Sequence, residues 1–357
     1  MTYYLRRGNT YQVTSSAALD IHEELPVGTY TVKFDQLKGV YFLEMIDGFE
    51  IAHKLYGDTA AKADRILRTF DSRPNSTGVM LTGEQGSGKT LLAKKLSLVG
   101  QDMGYPTLII NSPHCGEEFN GFMQSINQPT IVIFDEFEKV YDEDDQNAML
   151  TLLDGVYPSK KLFIITSNDK YRVNRHMRNR PGRIFYRLDY TGLGQDFIVE
   201  YCNDNLNDKT QIDSICRMAV MFGEFNFDIL KAMVEEMNRY GESASEVLQM
   251  LNAKPEQSDN TRYKVSLAVA GKEISEKALY NDEWTGNPLA GSRAISIDYE
   301  SGVLDEDGDT GYDNQKFTVG DLKDVEAQSG RFIYINHQGA RLSLVKVPTP
   351  TYDWHAF

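Results

Sequence analysis

The run Gly83-Glu84-Gln85-Gly86-Ser87-Gly88-Lys89-Thr90 constrains this chain more than any other. It sits between a strand-like segment, Gly78-Val79-Met80-Leu81-Thr82, and a helical one opening Leu91-Leu92-Ala93-Lys94. In that setting a glycine-rich turn aims consecutive backbone N–H groups at one point, where the following helix also presents its positive end. Lys89 adds a charge and the Thr90 hydroxyl a ligand for Mg²⁺. Gly83, Gly86, Ser87, Gly88, Lys89, Thr90 and Leu91 are therefore the expected contacts of a nucleoside triphosphate.

Forty-six residues after Lys89, the run Thr130-Ile131-Val132-Ile133-Phe134 ends in Asp135-Glu136. A continuous apolar run predicts a strand buried on both faces, with its acids emerging at the carboxyl edge where ligands of open parallel sheets bind. Asp135 is placed to hold Mg²⁺ through its water shell, and Glu136 to align the water that attacks the γ-phosphate. A third buried run, Leu162-Phe163-Ile164-Ile165-Thr166, ends in Ser167-Asn168. An amide at that strand tip can bond both phosphate and water without adding charge, which suits Asn168 to sensing the γ-phosphate; the alternative is a plain Asx turn.

A basic run follows: Lys170, Arg172, Arg175, Arg178, Arg180, Arg183 and Arg187, around Pro181-Gly182. It reads as a nucleic-acid stripe, as solvated surface charge, or as a pair of trans-acting fingers. In the last reading Arg180 and Arg183 stabilise transition-state charge on a neighbouring subunit's nucleotide.

Taken in order, the phosphate loop, Phe134-Asp135-Glu136, Leu152-Leu153-Asp154-Gly155, Asn168 and Arg180-Pro181-Gly182-Arg183 resemble the AAA+ ATPases, specifically the AAA branch in the narrow sense. The resemblance covers roughly residues 50 to 250 and implies a P-loop α/β fold, a doubly wound parallel sheet with a helical lid, with which the alternation of runs agrees. It implies ATP hydrolysis with Mg²⁺, Arg180 and Arg183 as paired fingers, and a homo-oligomeric ring, usually a hexamer. It also implies an adenine pocket near Leu55-Tyr56-Gly57-Asp58, making Gly57 and Asp58 cofactor-binding residues. Within that branch the layout is similar to the mitochondrial Rieske-protein translocase group, which shares a short connection before the Asp-Glu strand. Here eighteen residues, Ser112 to Pro129, separate Thr107-Leu108-Ile109-Ile110-Asn111 from that strand, enough for one helix and its turns. Phe119, Phe122 and Ile126 recur at helical spacing, so Phe119 is expected in the core rather than on a pore loop.

Outside the ATPase, Thr10-Tyr11-Gln12-Val13 and Gly28 to Phe34 predict a β-rich leader, and the apolar stripes of Gln195 to Asn252 predict a helical lid. Beyond the polar junction Ala253 to Asn260 lie further strand-like runs, the last two joined at Gln338-Gly339. The expected division is a β-rich module over 1–50, the α/β ATPase over 51–190, a lid over 191–255 and a second β-rich module over 256–357. The acidic stretch Asp305 to Gly311 lacks the Gly and closing Glu of an EF-hand loop and is expected to be solvated.

A formal net charge of −15 disfavours general nucleic-acid binding and favours a protein partner. Three cysteines without metal spacing, a polar start and no bilayer-length apolar stretch lead us to expect a cytosolic protein without a membrane span. With its compact architecture and terse loops the chain resembles bacteriophage-type proteins, which implies action in the host cytoplasm. The expected function is an ATP-driven ring that moves or remodels a protein partner. The alternatives are a DNA-processing ATPase, whose basic run would face a channel, and a nucleotide-gated scaffold.

Overall fold

Buried runs of β-branched and aromatic residues set the architecture, seen here in a computed structural model. It describes all residues except 1, 8, 16–19, 52–53, 155–158, 179, 191, 223–224, 254–260, 292–293, 305–309, 328 and 348–357. The acidic stretch at 305–309 and most of the 253–260 junction therefore lie outside the described residues. Contacts divide the chain into two units, Met1–Thr191 and Gly192–Phe357.

In the first unit the elements run β1 (Thr2–Arg7), β2 (Thr10–Ser15), β3 (Thr29–Asp35), β4 (Val40–Ile46), α1 (Thr59–Ser72), β5 (Thr77–Gly83), α2 (Lys89–Asp102), β6 (Thr107–Ile110), α3 (Gly116–Ser125), β7 (Thr130–Phe134), α4 (Phe137–Val140), α5 (Glu143–Leu153), β8 (Lys161–Ser167), α6 (Arg175–Arg178) and β9 (Tyr186–Tyr190). Seven strands form one sheet in the order β4-β3-β6-β7-β8-β5-β9, parallel throughout except at the β3–β4 pair. Alternate residues of the central strands feed two cores. Met80, Val132, Phe134, Phe163 and Ile165 pack with α3 and α5 residues such as Phe119 and Met149. Val79, Leu81, Ile131, Ile133, Leu162 and Ile164 pack under Ile66, Leu67 and Phe70 of α1 and Leu92 and Leu96 of α2. Burial on both faces is why these strands read as unbroken apolar runs. Phe119 is fully buried, as its helical spacing predicted.

One expectation is corrected. Two of the four leader strands do not stand apart from the ATPase: β3 pairs in parallel with β6, and β4 closes the sheet as an antiparallel edge. Tyr30 and Val32 of β3 are buried in the main core, so the hairpin covers an edge that β6 would otherwise leave open.

In the second unit, α7 (Gln195–Asn205), α8 (Ile212–Met221), α9 (Phe227–Tyr240) and α10 (Ala244–Met250) bury the expected stripes, including Ile198, Ile215, Leu230, Val234 and Met237. Helix α9 is capped by the Asn226 side chain and ends on left-handed Gly241. Then come β10 (Arg262–Val269), β11 (Lys272–Glu273), β12 (Glu283–Thr285), β13 (Ile295–Leu304), β14 (Thr310–Phe317), β15 (Leu322–Glu326), β16 (Arg331–Ile335) and β17 (Arg341–Lys346). They pair antiparallel as β11-β10-β17-β16-β15, with β12 beside β10 and a separate β13–β14 hairpin. Val220 of α8 packs against the core of these strands, so helices and strands here share one unit.

Lys161 begins β8 with 1% of its surface exposed, and its ammonium donates to the carbonyls of Ile126 (2.5 Å) and Gln128 (3.2 Å). Burial pulls its pKa down to about 8. Between pH 8 and 10.5 the folded chain sheds this proton while the unfolded chain keeps it, so the contribution to stability rises with pH. Denaturant titrations should find wild type gaining on Lys161→Met across that window, by up to roughly 3 kcal/mol. A pH-independent difference would contradict the assignment.

Candidate nucleotide site

The sheet register brings the sequence motifs together. Thr82 pairs with Ser167 across β5 and β8, and Phe134 with Ile165 across β7 and β8. Gly83, Asp135 and Asn168 thus leave the sheet at one carboxyl edge.

The loop after β5 needs its glycines. Gly83, Gly86 and Gly88 have φ of 144°, 77° and 98°, conformations that cost other residues strain. A Cβ on Gly83 would also stand 2.3 Å from the carbonyl oxygen of Tyr190. Helix α2 starts on Gly88, so no side chain caps its first turn, the arrangement in which helix amides receive an anion. Lys89 is 6% exposed and folds its ammonium back onto the loop, donating to Gly83 O (2.5 Å), Glu84 O (2.7 Å) and Ser87 Oγ (3.4 Å). Thr90 is exposed and Leu91 half-buried. These features fit a triphosphate, and the Thr90 hydroxyl and the Asp135 carboxylate are oxygen donors of the kind that would suit its Mg²⁺.

Thr166 joins the two strand ends. Its hydroxyl donates to Asp135 Oδ1 (2.6 Å) and accepts from the Glu136 amide (2.9 Å). Glu136 itself is left-handed, with φ 49° and ψ 47°, an unusual state for a residue with a side chain. Asn168 Nδ2 donates to Glu136 Oε1 at 3.3 Å, and Lys139 Nζ lies 2.5 Å from the same oxygen. The hydrogen bond from Lys139, seconded by that from Asn168, holds the Glu136 carboxyl below the usual range. A carboxylate of lowered basicity suits aligning and polarising a water better than keeping its proton.

Tyr190 was not visible as a site residue. Its ring lies 3.8 Å from where a Gly88 Cβ would be and 5.4 Å from the Lys62 ammonium, and its buried hydroxyl has no hydrogen-bond partner among the described residues. Gly57 turns the chain with φ 65°, and Asp58 pairs with Lys62 at 2.8 Å. Gly57 and Asp58 are thereby brought to the side of the phosphate loop that Tyr190 backs.

The two arginines of the Arg180-Pro181-Gly182-Arg183 turn have different surroundings. Arg180 is exposed. Arg183, expected as a second displayed finger, is 8% exposed and grips Asp154 through both Nε and Nη2, with Nη1 on His176 O at 3.1 Å. Within one chain its fixed fork is thus engaged by a carboxylate. The Arg183 carbonyl lies where a Cβ on Gly78 would come within 2.0 Å, so the turn is pressed onto β5. Arg187 pairs with Asp189 at 2.8 Å, so the basic run is partly neutralised. Asp154→Ala should lower unfolding free energy by about 1.5–3 kcal/mol in a chemical melt, because it strands a buried guanidinium. Unchanged stability would mean that the pair does not hold the turn.

Residues 79–189 match the family model described as ATPase family associated with various cellular activities (AAA). Curated relatives include the ATP-dependent zinc metalloprotease FtsH 3 of Synechocystis, 30% identical over 45% of this chain and 30% of its own length. The peroxisomal ATPase PEX1 of Cricetulus griseus is 24% identical over 48% of this chain and 15% of its own, and the FtsH 3 of Petrotoga mobilis is 32% identical over 30% and 20%. The chain spans less than a third of the length of these relatives. Its His22-Glu23-Glu24-Leu25 is followed by proline, and no His-Glu-x-x-His occurs. The edge of the sheet that carries Gly83, Asp135 and Asn168 thus lies within an AAA ATPase domain with FtsH-like and PEX1-like relatives.

Proposed function

We propose that this chain hydrolyses ATP with Mg²⁺ in a homo-oligomeric ring, and that turnover drives the remodelling or movement of a protein partner. The observation that carries the reading is the meeting of the phosphate loop, Asp135-Glu136 and Asn168 at one sheet edge. Lys89 supplies charge to the β- and γ-phosphates once its loop carbonyls are exchanged for them, and Thr90 and Asp135 hold the metal. Bound Mg²⁺ would neutralise charge on the triphosphate. Glu136 and Asn168 orient the attacking water. Gly57, Asp58 and Tyr190 flank the loop and are proposed to receive the base and ribose.

Arg180 is the proposed finger onto the nucleotide of a neighbouring copy, and Arg183 holds the turn that displays it. We further propose a hexamer. The single helix α3 between β6 and β7 supports kinship with the Rieske-protein translocase group within AAA. No helix among the described residues is long and apolar enough to cross a membrane; location in the cytosol and a phage source remain our reading of composition and layout. The DNA-processing alternative is weakened where Arg183 and Arg187 are paired to carboxylates.

Turnover per chain should rise with protein concentration as the ring assembles. Arg180→Ala should cut turnover by ~10³-fold while ATP affinity stays near wild type. Full-speed hydrolysis by monomers, or an Arg180→Ala chain as active as wild type, would overturn the composite site. Stimulation by DNA that is lost at high salt would favour the alternative.

A further inference from the structure

Glu138 is a carboxylate with 6% of its surface exposed, two residues beyond Glu136 on the single turn of α4. Its Oε1 accepts from the main-chain N–H of Asn168 at 3.0 Å, while the side-chain amide of Asn168 donates to Glu136 at 3.3 Å. The two carboxylates of one turn therefore take two donors of one residue. Glu136 being left-handed sets this up, because the chain reverses at once and brings Glu138 back toward the tip of β8.

Strand pairing does not hold Asn168. The β5–β8 ladder ends at Ser167 and the β7–β8 ladder at Ile165, so Asn168 is the first residue beyond both. Its main chain is tied down by Glu138 instead. A gain in stability is a poor reason for that choice. The second oxygen of Glu138 is buried with no hydrogen-bond partner among the described residues, and desolvating a carboxylate to make one amide bond costs more than a small neutral acceptor would.

We propose that Glu138 is a positioning residue for Asn168. It fixes the main chain at the strand tip without touching the side-chain amide, which stays available to Glu136, the attacking water and the γ-phosphate. The inference rests on the ATP-hydrolysis reading above.

The test is a double-mutant cycle in the full-length chain, with steady-state ATP turnover and, separately, binding of a fluorescent ATP analogue. Glu138→Ala should lower kcat by about tenfold or more with KM and analogue affinity within about twofold of wild type, as for other residues that orient a reacting group. Glu138→Gln, which still offers Oε1 to the Asn168 amide, should keep kcat within about threefold of wild type. In an Asn168→Ala background, Glu138→Ala should have no further effect on kcat. The inference fails if Glu138→Ala leaves kcat unchanged, if Gln is as damaging as Ala, or if the loss is equally large without the Asn168 side chain. Absence of turnover in the wild-type chain fails the ATPase reading as well, whereas turnover that survives Glu138→Ala intact fails this inference alone.

Discussion

Parallel pairing of β8 with both β5 and β7 is the constraint on which the rest depends. It sets Gly83, Asp135 and Asn168 at one edge, though they come from stretches far apart in the chain. A slip of one residue would exchange the two faces of β8, driving Phe163 and Ile165 into the layer that holds Leu162 and Ile164. The apolar cores on the two faces therefore fix the site's geometry as well as the fold. Register is enforced by burial in the middle of the sheet and used at its edge.

At that edge, a few polar bonds take over from packing. Thr166 ties Asp135 to the Glu136 amide, and the left-handed turn at Glu136 carries α4 back so that Glu138 meets Asn168. None of these bonds is strong by itself. Together they hold the Asp135 carboxylate, the Glu136 carboxylate and the Asn168 amide on neighbouring strand tips. On the far side of the phosphate loop, Gly83 and Gly88 pack against Tyr190, the last residue of β9.

How far the sequence could be read follows from what each feature depends on. That the glycine-rich loop, Asp135-Glu136 and Asn168 would stand at strand ends was legible because the requirements are local: positive φ, a helix start, an apolar run that stops. Phe119 was legible from helical spacing. The β3–β4 hairpin was misplaced because nothing local says which edge a strand will join; that is decided by the open side of β6 and by burial of Tyr30 and Val32. The ion pair of Arg183 was hidden for a related reason. Its motif position resembles a displayed finger, but its partner Asp154 lies 29 residues away. Glu138 and Thr166 passed unnoticed among ordinary residues, although a threonine ending a buried run and an acid placed two after Glu136 were both there to be weighed.

The central claim is that the three strand ends form one pocket that binds and cleaves ATP, with Glu136 acting only on the cleavage. Measuring ATP affinity and turnover side by side in Glu136→Gln tests it most directly. The account predicts wild-type affinity with turnover lost by orders of magnitude. Turnover near the wild-type rate, or loss of binding alone, would contradict it.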